Sequence, residues 1–330
     1  MRYLSEHRKG LSMLAIVTIG FYAFYFISPI KASSMLESSW RFAIPLVLAA
    51  MVGVIGERSG VVNIGIEGQM LTSAFAGFFG AAFTGSLVIG VIAGVLTGIL
   101  MGAFLAWTTV KWQLDQIIAG VVLNIVAAGV TSFYYKQGNT LPALMPKFKV
   151  PILSDIPLIG PVFFNRGIFA LAALVLVFVV QYMLFSTRWG LRTRAIGEYP
   201  NAADTAGVDV IKMRLINVTL AGGLAGMAGA YLSMEAAGTF ERGFTAGRGF
   251  LALAILIFGA WYPNRVMAAA LFFGFASATA AQLQIDKVVE IPQQFINMLP
   301  FVMTLIVLSV AAGRVRPPAA AGTPFVKGSA

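Results

Sequence analysis

Ten apolar runs separated by short polar stretches constrain this chain more than any other feature. A helix needs about 20 predominantly apolar residues to cross a bilayer, and most of the runs approach that length. Charged residues make up only 11% of the chain, so no polar block could form a separate soluble domain. We therefore predict an all-α, polytopic integral membrane protein with about ten transmembrane helices. The predicted segments are 11–29, 41–56, 61–84, 86–109, 115–135, 167–186, 214–234, 249–262, 265–284 and 296–312.

Basic residues are divided unevenly between the two sides of this predicted membrane domain. With the N-terminus in the cytoplasm, 14 of the 23 Lys and Arg residues lie on the inner side, five of them in the loop 187–214. The positive-inside rule then places both termini in the cytoplasm. The bases lie beside apolar runs and form no stripe with interleaved aromatic residues, so they indicate a lipid bilayer rather than a nucleic-acid partner. The first run has no small-residue cleavage site behind it and is predicted to be a retained span.

Two glycine-containing breaks interrupt the pattern of straight spans. The first begins at Gly56–Gly60 and carries Asn63, Glu67 and Gln69 into an otherwise apolar run. The second, Glu235–Gly249, precedes a run that is too short to cross a membrane. Polar or non-helical backbone is tolerated at membrane depth only where it faces protein or a water-filled cavity. We therefore predict one or two broken or re-entrant segments beside a translocation pathway.

Four polar side chains are the candidates for that pathway: Asn63, Glu67, Gln69 and, in the fifth span, Asn124. Each also has a structural interpretation. Asn63 and Gln69 could bond only to neighbouring backbone, a contribution of about 0.6 kcal/mol for an average interhelical hydrogen bond in a membrane. Glu67 could pair with Arg58 or bond to helix termini. Both interpretations stay open at the level of sequence.

The loop 187–214 is predicted to contain one short helix. Pro200 suits a first helical turn, and Gly207 is placed to end the helix about two turns later. A short helix between two spans, on the side where basic residues collect, could receive movement from a soluble partner. The alternative is an ordinary cytoplasmic loop with a capped helical turn.

Other stretches define the boundaries of the membrane domain, predicted to occupy residues 1–312. Prolines at several positions exclude a continuous helix from the loop 136–166, which we expect to lie on the external side. Gly222, Gly226 and Ala230 recur at intervals of four and predict close helix packing. The tail 313–330 is expected to be cytoplasmic and weakly ordered.

Several kinds of chemistry are missing from the sequence. There is no phosphate-binding Gly-x-x-x-x-Gly-Lys-Ser/Thr loop, no Gly-x-Ser-x-Gly nucleophile elbow and no zinc-protease helix. The chain has no cysteine, and His7 is its only histidine, so a metal site is not expected. These absences predict that the chain is not an enzyme and holds no cofactor of its own.

The sequence resembles the permease subunits of bacterial ATP-binding-cassette (ABC) importers of the branched-chain amino acid and ribose type. Within that group it is similar to the shorter of the two permeases in nucleoside and simple-sugar uptake systems. The resemblance covers roughly residues 40–328. It is carried by the stretches GERSGVVNIGIEGQM, RAIGEYPNAADTAGVDVIKMR, TAGRGFLALAILIFGAWYP, PILSDIPLIGPVFF and GTPFVKG. The sequence departs from the family pattern at Trp261–Asn264 and Phe240–Arg242.

The resemblance implies a multi-pass protein of the bacterial plasma (inner) membrane that imports nucleosides or a simple sugar. It implies a separate ATP-binding subunit that holds ATP and Mg, a second homologous permease chain, and an extracytoplasmic substrate-binding protein or lipoprotein that meets the external loops. It also implies that the loop 187–214 contains a helix that couples the permease to the ATP-binding subunit. The residues that correspond to this coupling element are Arg194, Gly197, Glu198, Asn201, Ala203, Asp204 and Gly207.

Two other functions remain compatible with the residues. An ion-coupled secondary carrier or facilitator for a small polar solute would require Glu67 to titrate, because carriers keep costly ionisable groups for proton or ion relays. A membrane scaffold would bind partners through the loop 187–214 and transport nothing. The two polar breaks disfavour the scaffold, since a scaffold gains nothing from their cost.

Overall fold

The computed structural model describes residues 28–135, 138–286 and 316–327, together with 292, 295, 298, 301–303 and 305. The predicted spans 11–29 and 296–312 fall almost wholly outside this set. The described chain is mostly helical, with one small two-stranded hairpin. Its elements are α1 (Pro29–Arg58), α2 (Ile66–Thr84), α3 (Leu87–Ala106), α4 (Gln116–Tyr134), β1 (Phe148–Lys149), α5 (Ile159–Phe163), β2 (Asn165–Arg166), α6 (Ile168–Ser186), α7 (Arg188–Glu198), α8 (Pro200–Thr205), α9 (Val210–Ala230), α10 (Arg248–Phe258) and α11 (Pro263–Asp286).

Each predicted apolar segment that lies within the described residues contains a helix. Six stretches of the described chain are helical, long and apolar enough to cross a membrane: Ile30–Arg58, Leu87–Lys111, Gln116–Tyr134, Ile168–Ser186, Val210–Ala237 and Pro263–Gln284. Two of these continue beyond their α-helix as a wider π-helical turn, Trp107–Lys111 after α3 and Tyr231–Ala237 after α9. Helix α1 begins about three turns before the predicted segment 41–56, because Pro29 suits the start of a helix even where the following residues are polar.

Helix α1 lies at the centre of the bundle. From Ala43 to Val54 nearly every side chain is buried, whichever side of the helix it occupies. Such a helix is apolar on all sides because it has no face turned to the surroundings. Around it pack α6, α9, α10 and α11, which together form the main hydrophobic core.

Helices α3 and α9 pack closely, and they meet through glycine. The predicted face containing Gly222 and Gly226 lies against Gly98 and Gly102 of α3. A Cβ atom built at Gly98 would come within 2.6 Å of the Gly226 backbone, closer than real Cβ atoms approach other atoms. The prediction of close packing at this face is therefore confirmed, and α3 is its partner.

The first break lies inside the bundle, as its position beside α9 shows. The carbonyl of Ser59 accepts a hydrogen bond from Nε of Arg214 (3.0 Å), near the start of α9. Val61 packs with Val218, and Gly229 packs against the backbone of Met70. Between Arg214 and Gly229 a helix rises by about 22 Å. The non-helical stretch 59–65 therefore runs through the interior before α2 begins.

The described part of the tail 313–330, which was expected to be weakly ordered, contacts other elements. Residues 316–327 pack against the helices of the loop 187–214. Phe325 is buried in a small apolar cluster with Ile196, Ala203 and Val210. The carbonyl of Thr323 also accepts a 3.0 Å hydrogen bond from Nη1 of Arg214. One aromatic anchor and paired backbone groups hold this segment, despite its proline and alanine content.

Candidate functional site

Side chains of α4 hold the non-helical backbone of the first break. The amide of Val62 donates to Oε1 of Gln116 at 2.6 Å, and Nδ2 of Asn124 donates to the carbonyl of Ile64 at 3.0 Å. Oδ1 of Asn124 accepts from the amide of Gly68 at 2.7 Å, in the first turn of α2. Buried backbone groups need such partners where no regular helix supplies them. Asn124, one of the predicted pathway residues, thus supports the break directly.

A glycine allows α4 to come this close. Gly120 lies midway between Gln116 and Asn124, one helical turn from each, so all three share one face. A Cβ atom at Gly120 would lie 2.8 Å from the amide nitrogen of Gly65. The spacing of four, from Gln116 to Gly120 and from Gly120 to Asn124, was present in the sequence, but its meaning depended on knowing which segment lies opposite.

Asn63 and Gln69 form a buried polar pair beside the break. Nδ2 of Asn63 donates to Oε1 of Gln69 at 3.1 Å, and the two residues are 1% and 0% exposed. Within the described part of the chain, Oδ1 of Asn63 and Nε2 of Gln69 have no hydrogen-bond partner, and neither has Oγ of Ser73 one turn further along α2. A buried polar group left without a partner costs about 1–3 kcal/mol. Three buried polar atoms next to the break therefore lack a hydrogen-bond partner among the described residues.

Glu67 joins the two breaks to each other. Its Oε1 accepts a hydrogen bond from the amide of Gly247 at 2.8 Å, and its Oε2 accepts from the amide of Gly249 at 2.6 Å. These amides lie at the N-terminus of α10, where a negative charge is favoured by the helix dipole. Glu67 also lies in the first turn of its own helix, α2. One carboxylate therefore serves two helix N-termini, as the interpretation of Glu67 as a partner of helix termini predicted. Arg58 instead donates to the carbonyl of Trp261.

The acid of the second break has the same kind of role. Oε2 of Glu235 accepts a hydrogen bond from the amide of Phe169 at 3.0 Å, in the first turn of α6. A side chain at Gly167 would overlap this carboxylate and would displace it from the amide of Phe169. Both acidic residues that we singled out inside the membrane domain are thus bound to helix N-termini.

The loop 187–214 contains two helices, α7 and α8, and not the single short helix that was predicted; α8 lies at the predicted position. Helix α8 begins at Pro200, and Gly207 adopts a left-handed conformation (φ 83°) after its end. Ala203 faces inward, into the cluster that includes Phe325, while Asn201 and Thr205 are exposed and Asp204 is half-buried. Helix α8 therefore presents a free outer face at the end of the bundle.

Two predicted coupling residues face the C-terminal segment instead of solvent. The carbonyl of Gly197 accepts from the amide of Ala320 at 2.9 Å, and Oε2 of Glu198 accepts from the amide of Ala319 at 3.2 Å. A side chain at Gly197 would also overlap the carbonyl of Arg58. These residues fix α7 to the end of α1 and to the C-terminal segment.

Sequence reasoning missed a cluster of arginine and aromatic side chains at the same end. Phe185 and Tyr262 stack with their ring centroids 4.9 Å apart. Arg194, a predicted coupling residue, lies 5.0 Å from the Phe185 ring, and Arg265 lies 4.8 Å from the Tyr262 ring. Arg58 lies within 6 Å of both rings. Cation–π contacts of this kind tie α7 to the ends of α1, α6 and α10.

The turn between α10 and α11 has an unusual backbone. Ala260 and Trp261 both have positive φ angles (50° and 57°), which side chains with a Cβ rarely adopt. Nε1 of Trp261 donates to Oε2 of Glu57 at 2.6 Å, and its carbonyl accepts from Nε of Arg58 at 3.2 Å. Trp261 is therefore the residue by which the turn is attached to α1.

Comparison with known proteins matches this chain to transport permeases. Residues 35–308 match the family described as branched-chain amino acid transport system / permease component. The chain is 38% identical to the guanosine ABC transporter permease protein NupQ of Bacillus subtilis, over 90% of this chain and 97% of that protein. It is 37% identical to the nucleoside ABC transporter permease protein NupC of Lactococcus lactis, over 87% and 94%. A second guanosine permease protein of B. subtilis, NupP, is 27% identical over 81% and 78%.

Proposed function

The chain belongs to the family of branched-chain amino acid transport system permease components, and from this premise we propose that it forms the membrane pathway of an ABC importer for nucleosides. The observation that carries the proposal is the identity of 37–38% with a guanosine permease and a nucleoside permease, over nearly the full length of each. The chain is the transport subunit and is not an enzyme; ATP and Mg bind to a partner ATPase, in the bacterial plasma membrane.

Three partners complete the proposed importer. The ATP-binding subunit contacts the exposed face of α8, with Arg194, Gly197 and Glu198 holding α7 in position behind it. A second, homologous permease completes the pathway; two related guanosine permease proteins in one bacterium support this part of the proposal. A binding protein delivers the solute on the side of the loop 136–166. Both termini lie on the opposite, cytoplasmic side, as the distribution of basic residues favours.

The proposed route of coupling follows contacts between neighbouring elements. Movement of α8 reaches α7, and the arginine and aromatic cluster connects α7 to the turn at Trp261. That turn directly follows α10, whose N-terminus is bound to Glu67 at the start of α2. A rigid-body movement of α8 would thereby reach the point where the two breaks meet.

The pathway itself is proposed to pass the pair formed by Asn63 and Gln69. Their unpartnered polar atoms can bond to water or to a passing polar solute, whereas Glu67 and Asn124 maintain the shape of the break. Weak contacts are sufficient for passage, because a binding protein performs most of the selection.

The proposed solute class predicts a selective uptake profile. Cells that express this chain with its permease, ATPase and binding-protein partners should accumulate radiolabelled guanosine, and much less glucose or leucine. The control strain lacks only this chain. Accumulation of glucose or leucine with no accumulation of any nucleoside would contradict the proposed solute while leaving the assignment to an importer in place.

A further inference from the structure

An open groove lies between α7 and the start of α9, at the end of the bundle that carries α8. It has a volume of about 420 Å³, and its walls include Trp189 and Arg192 on one side and Asp209, Lys212 and Ile216 on the other. Small-molecule sites occupy roughly 300–1,000 Å³, so the groove is large enough for a phosphate group and its ester substituent. Trp189 is half-buried and the other four residues are exposed, so these walls are open to the surroundings.

The groove carries an excess of positive charge. Arg192 and Lys212 contribute two basic groups, and neither forms an ion pair with another described residue. Asp209 is the single acid among the described residues of the wall. Its Oδ1 accepts a hydrogen bond from the amide of Lys212 at 2.9 Å, which holds the carboxylate at the N-terminus of α9. The two basic side chains therefore remain available to an anion from outside the chain.

An exposed apolar stripe leads away from the groove along α9. Ile216 and Leu220 follow Lys212 at intervals of four, so all three lie on one face of the helix. The two apolar residues are 42% and 60% exposed. They lie about 6 and 12 Å beyond Lys212 along the helix axis, whereas half of the hydrocarbon core of a bilayer measures about 15 Å. Because Val210–Ala237 is long and apolar enough to cross a membrane, the stripe faces the hydrocarbon.

Tryptophan residues place the groove at the level of the membrane surface. Trp189 packs against the main hydrophobic core and lines the groove. Trp107 and Trp112 are 52% and 62% exposed, and the π-helical turn that begins at Trp107 meets the first half of α9, where Val110 packs with Val218. Tryptophan is enriched at the boundary between membrane and water. The basic groups of the groove therefore lie at the depth of the lipid phosphates.

We infer that the groove binds the headgroup of an anionic phospholipid. The phosphate lies between Arg192 and Lys212, and one acyl chain lies along Ile216 and Leu220. Basic pockets between membrane helices bind anionic lipid headgroups in this way. A choline headgroup fits less well, because its ammonium group would face two basic side chains. The inference depends on α9 crossing the membrane and not on the transported solute.

Photolabelling of the complete complex tests the inference. The complex is reconstituted into vesicles of phosphatidylcholine that contain a small fraction of phosphatidylglycerol with a diazirine in the middle of one acyl chain. Mass spectrometry then measures the label on the α9 peptide that contains Ile216 and Leu220. We expect the phosphatidylglycerol probe to label this peptide about tenfold more than a phosphatidylcholine probe with the same acyl chain, since each basic residue adds to the affinity for the anionic lipid.

The double variant Arg192→Gln/Lys212→Gln should reduce labelling by phosphatidylglycerol about tenfold. Both side chains are exposed, so the variant should melt like the wild type in detergent. Arg188→Gln is the matched control, because Arg188 is exposed one turn earlier on α7 and does not line the groove. It should keep the wild-type labelling.

Three results would overturn the lipid site. The first is equal labelling of the α9 peptide by the two probes in the wild type, a comparison that needs no variant. The second is undiminished labelling by phosphatidylglycerol in the folded double variant. The third is a double variant that keeps the label and loses the ATP-binding subunit during purification, which would assign the groove to that subunit. Each result is read without transport, so the proposed solute is tested separately.

Discussion

Gly98→Val should leave little correctly folded protein in the membrane. A Cβ atom at position 98 would lie 2.6 Å from both N and Cα of Gly226, so α3 and α9 would have to separate. These atoms belong to the backbone and cannot move aside as a flexible side chain would. Overpacking of this kind costs about 3 kcal/mol, and separation would also loosen the contacts along the whole helix pair. The measurement is the monodisperse fraction after detergent extraction, together with the midpoint of thermal aggregation.

Gly129→Val is the matched control for this prediction. Gly129 also lies in an apolar helix, but a Cβ atom there would meet nothing within 4 Å. It should be extracted and melt like the wild type. A Gly98→Val protein that is equally abundant and equally stable would show that α3 and α9 do not pack as the structure has them.

Ala202→Arg should weaken binding of the ATP-binding subunit without unfolding the chain. The methyl group of Ala202 lies on the exposed face of α8, about 100° around the helix from the buried Ala203. If this face fits into a groove of the ATP-binding subunit, a long charged side chain would prevent close contact. A disrupted contact at the centre of an interface typically costs 2 kcal/mol or more, so we expect substrate-stimulated ATP hydrolysis to fall roughly tenfold or more.

The control for Ala202→Arg is the same substitution at the other end of the bundle. Ala82 is exposed near the end of α2, far from α8. Ala82→Arg should retain the ATP-binding subunit during purification, whereas Ala202→Arg should lose it. Full retention of that subunit and full ATP hydrolysis in Ala202→Arg would remove α8 from the coupling interface.

Local chemistry made some elements predictable from sequence. Pro200 and Gly207 delimit α8 because their allowed backbone angles do not depend on distant contacts. The spacing of Gly222 and Gly226 likewise indicated a close helix contact. Its partner, Gly98, remained unknown because the sequence does not specify which of several glycine-containing helices lies opposite.

The roles of the polar residues depended on contacts between distant segments. Glu67 binds an amide 180 residues further along the chain, and nothing near Glu67 in the sequence identifies that donor. The same reason explains why the arginine and aromatic cluster was missed, since Phe185 and Tyr262 meet only after folding. The contact of Phe325 with Ile196, Ala203 and Val210 could not be foreseen either, because these residues are distant from it in the sequence.

The source of energy separates the importer from the ion-coupled carrier. Glu67 and Glu235 are engaged by backbone amides at helix termini, an arrangement that stabilises the fold whether or not an ion gradient is present. A carrier would need one of them to exchange protons or bind an ion during each cycle. Glu67→Gln removes that capacity and still leaves an oxygen that can accept a hydrogen bond from α10.

The most direct test is guanosine uptake into sealed vesicles that contain the complete complex, with the binding protein outside. ATP and Mg are enclosed in one set of vesicles, and a proton or sodium gradient alone is imposed on another. We predict uptake only with enclosed ATP, with Glu67→Gln retaining ATP-driven uptake in proportion to the folded protein. Uptake driven by the gradient without ATP, and abolished by Glu67→Gln, would contradict the importer and identify the chain as a carrier.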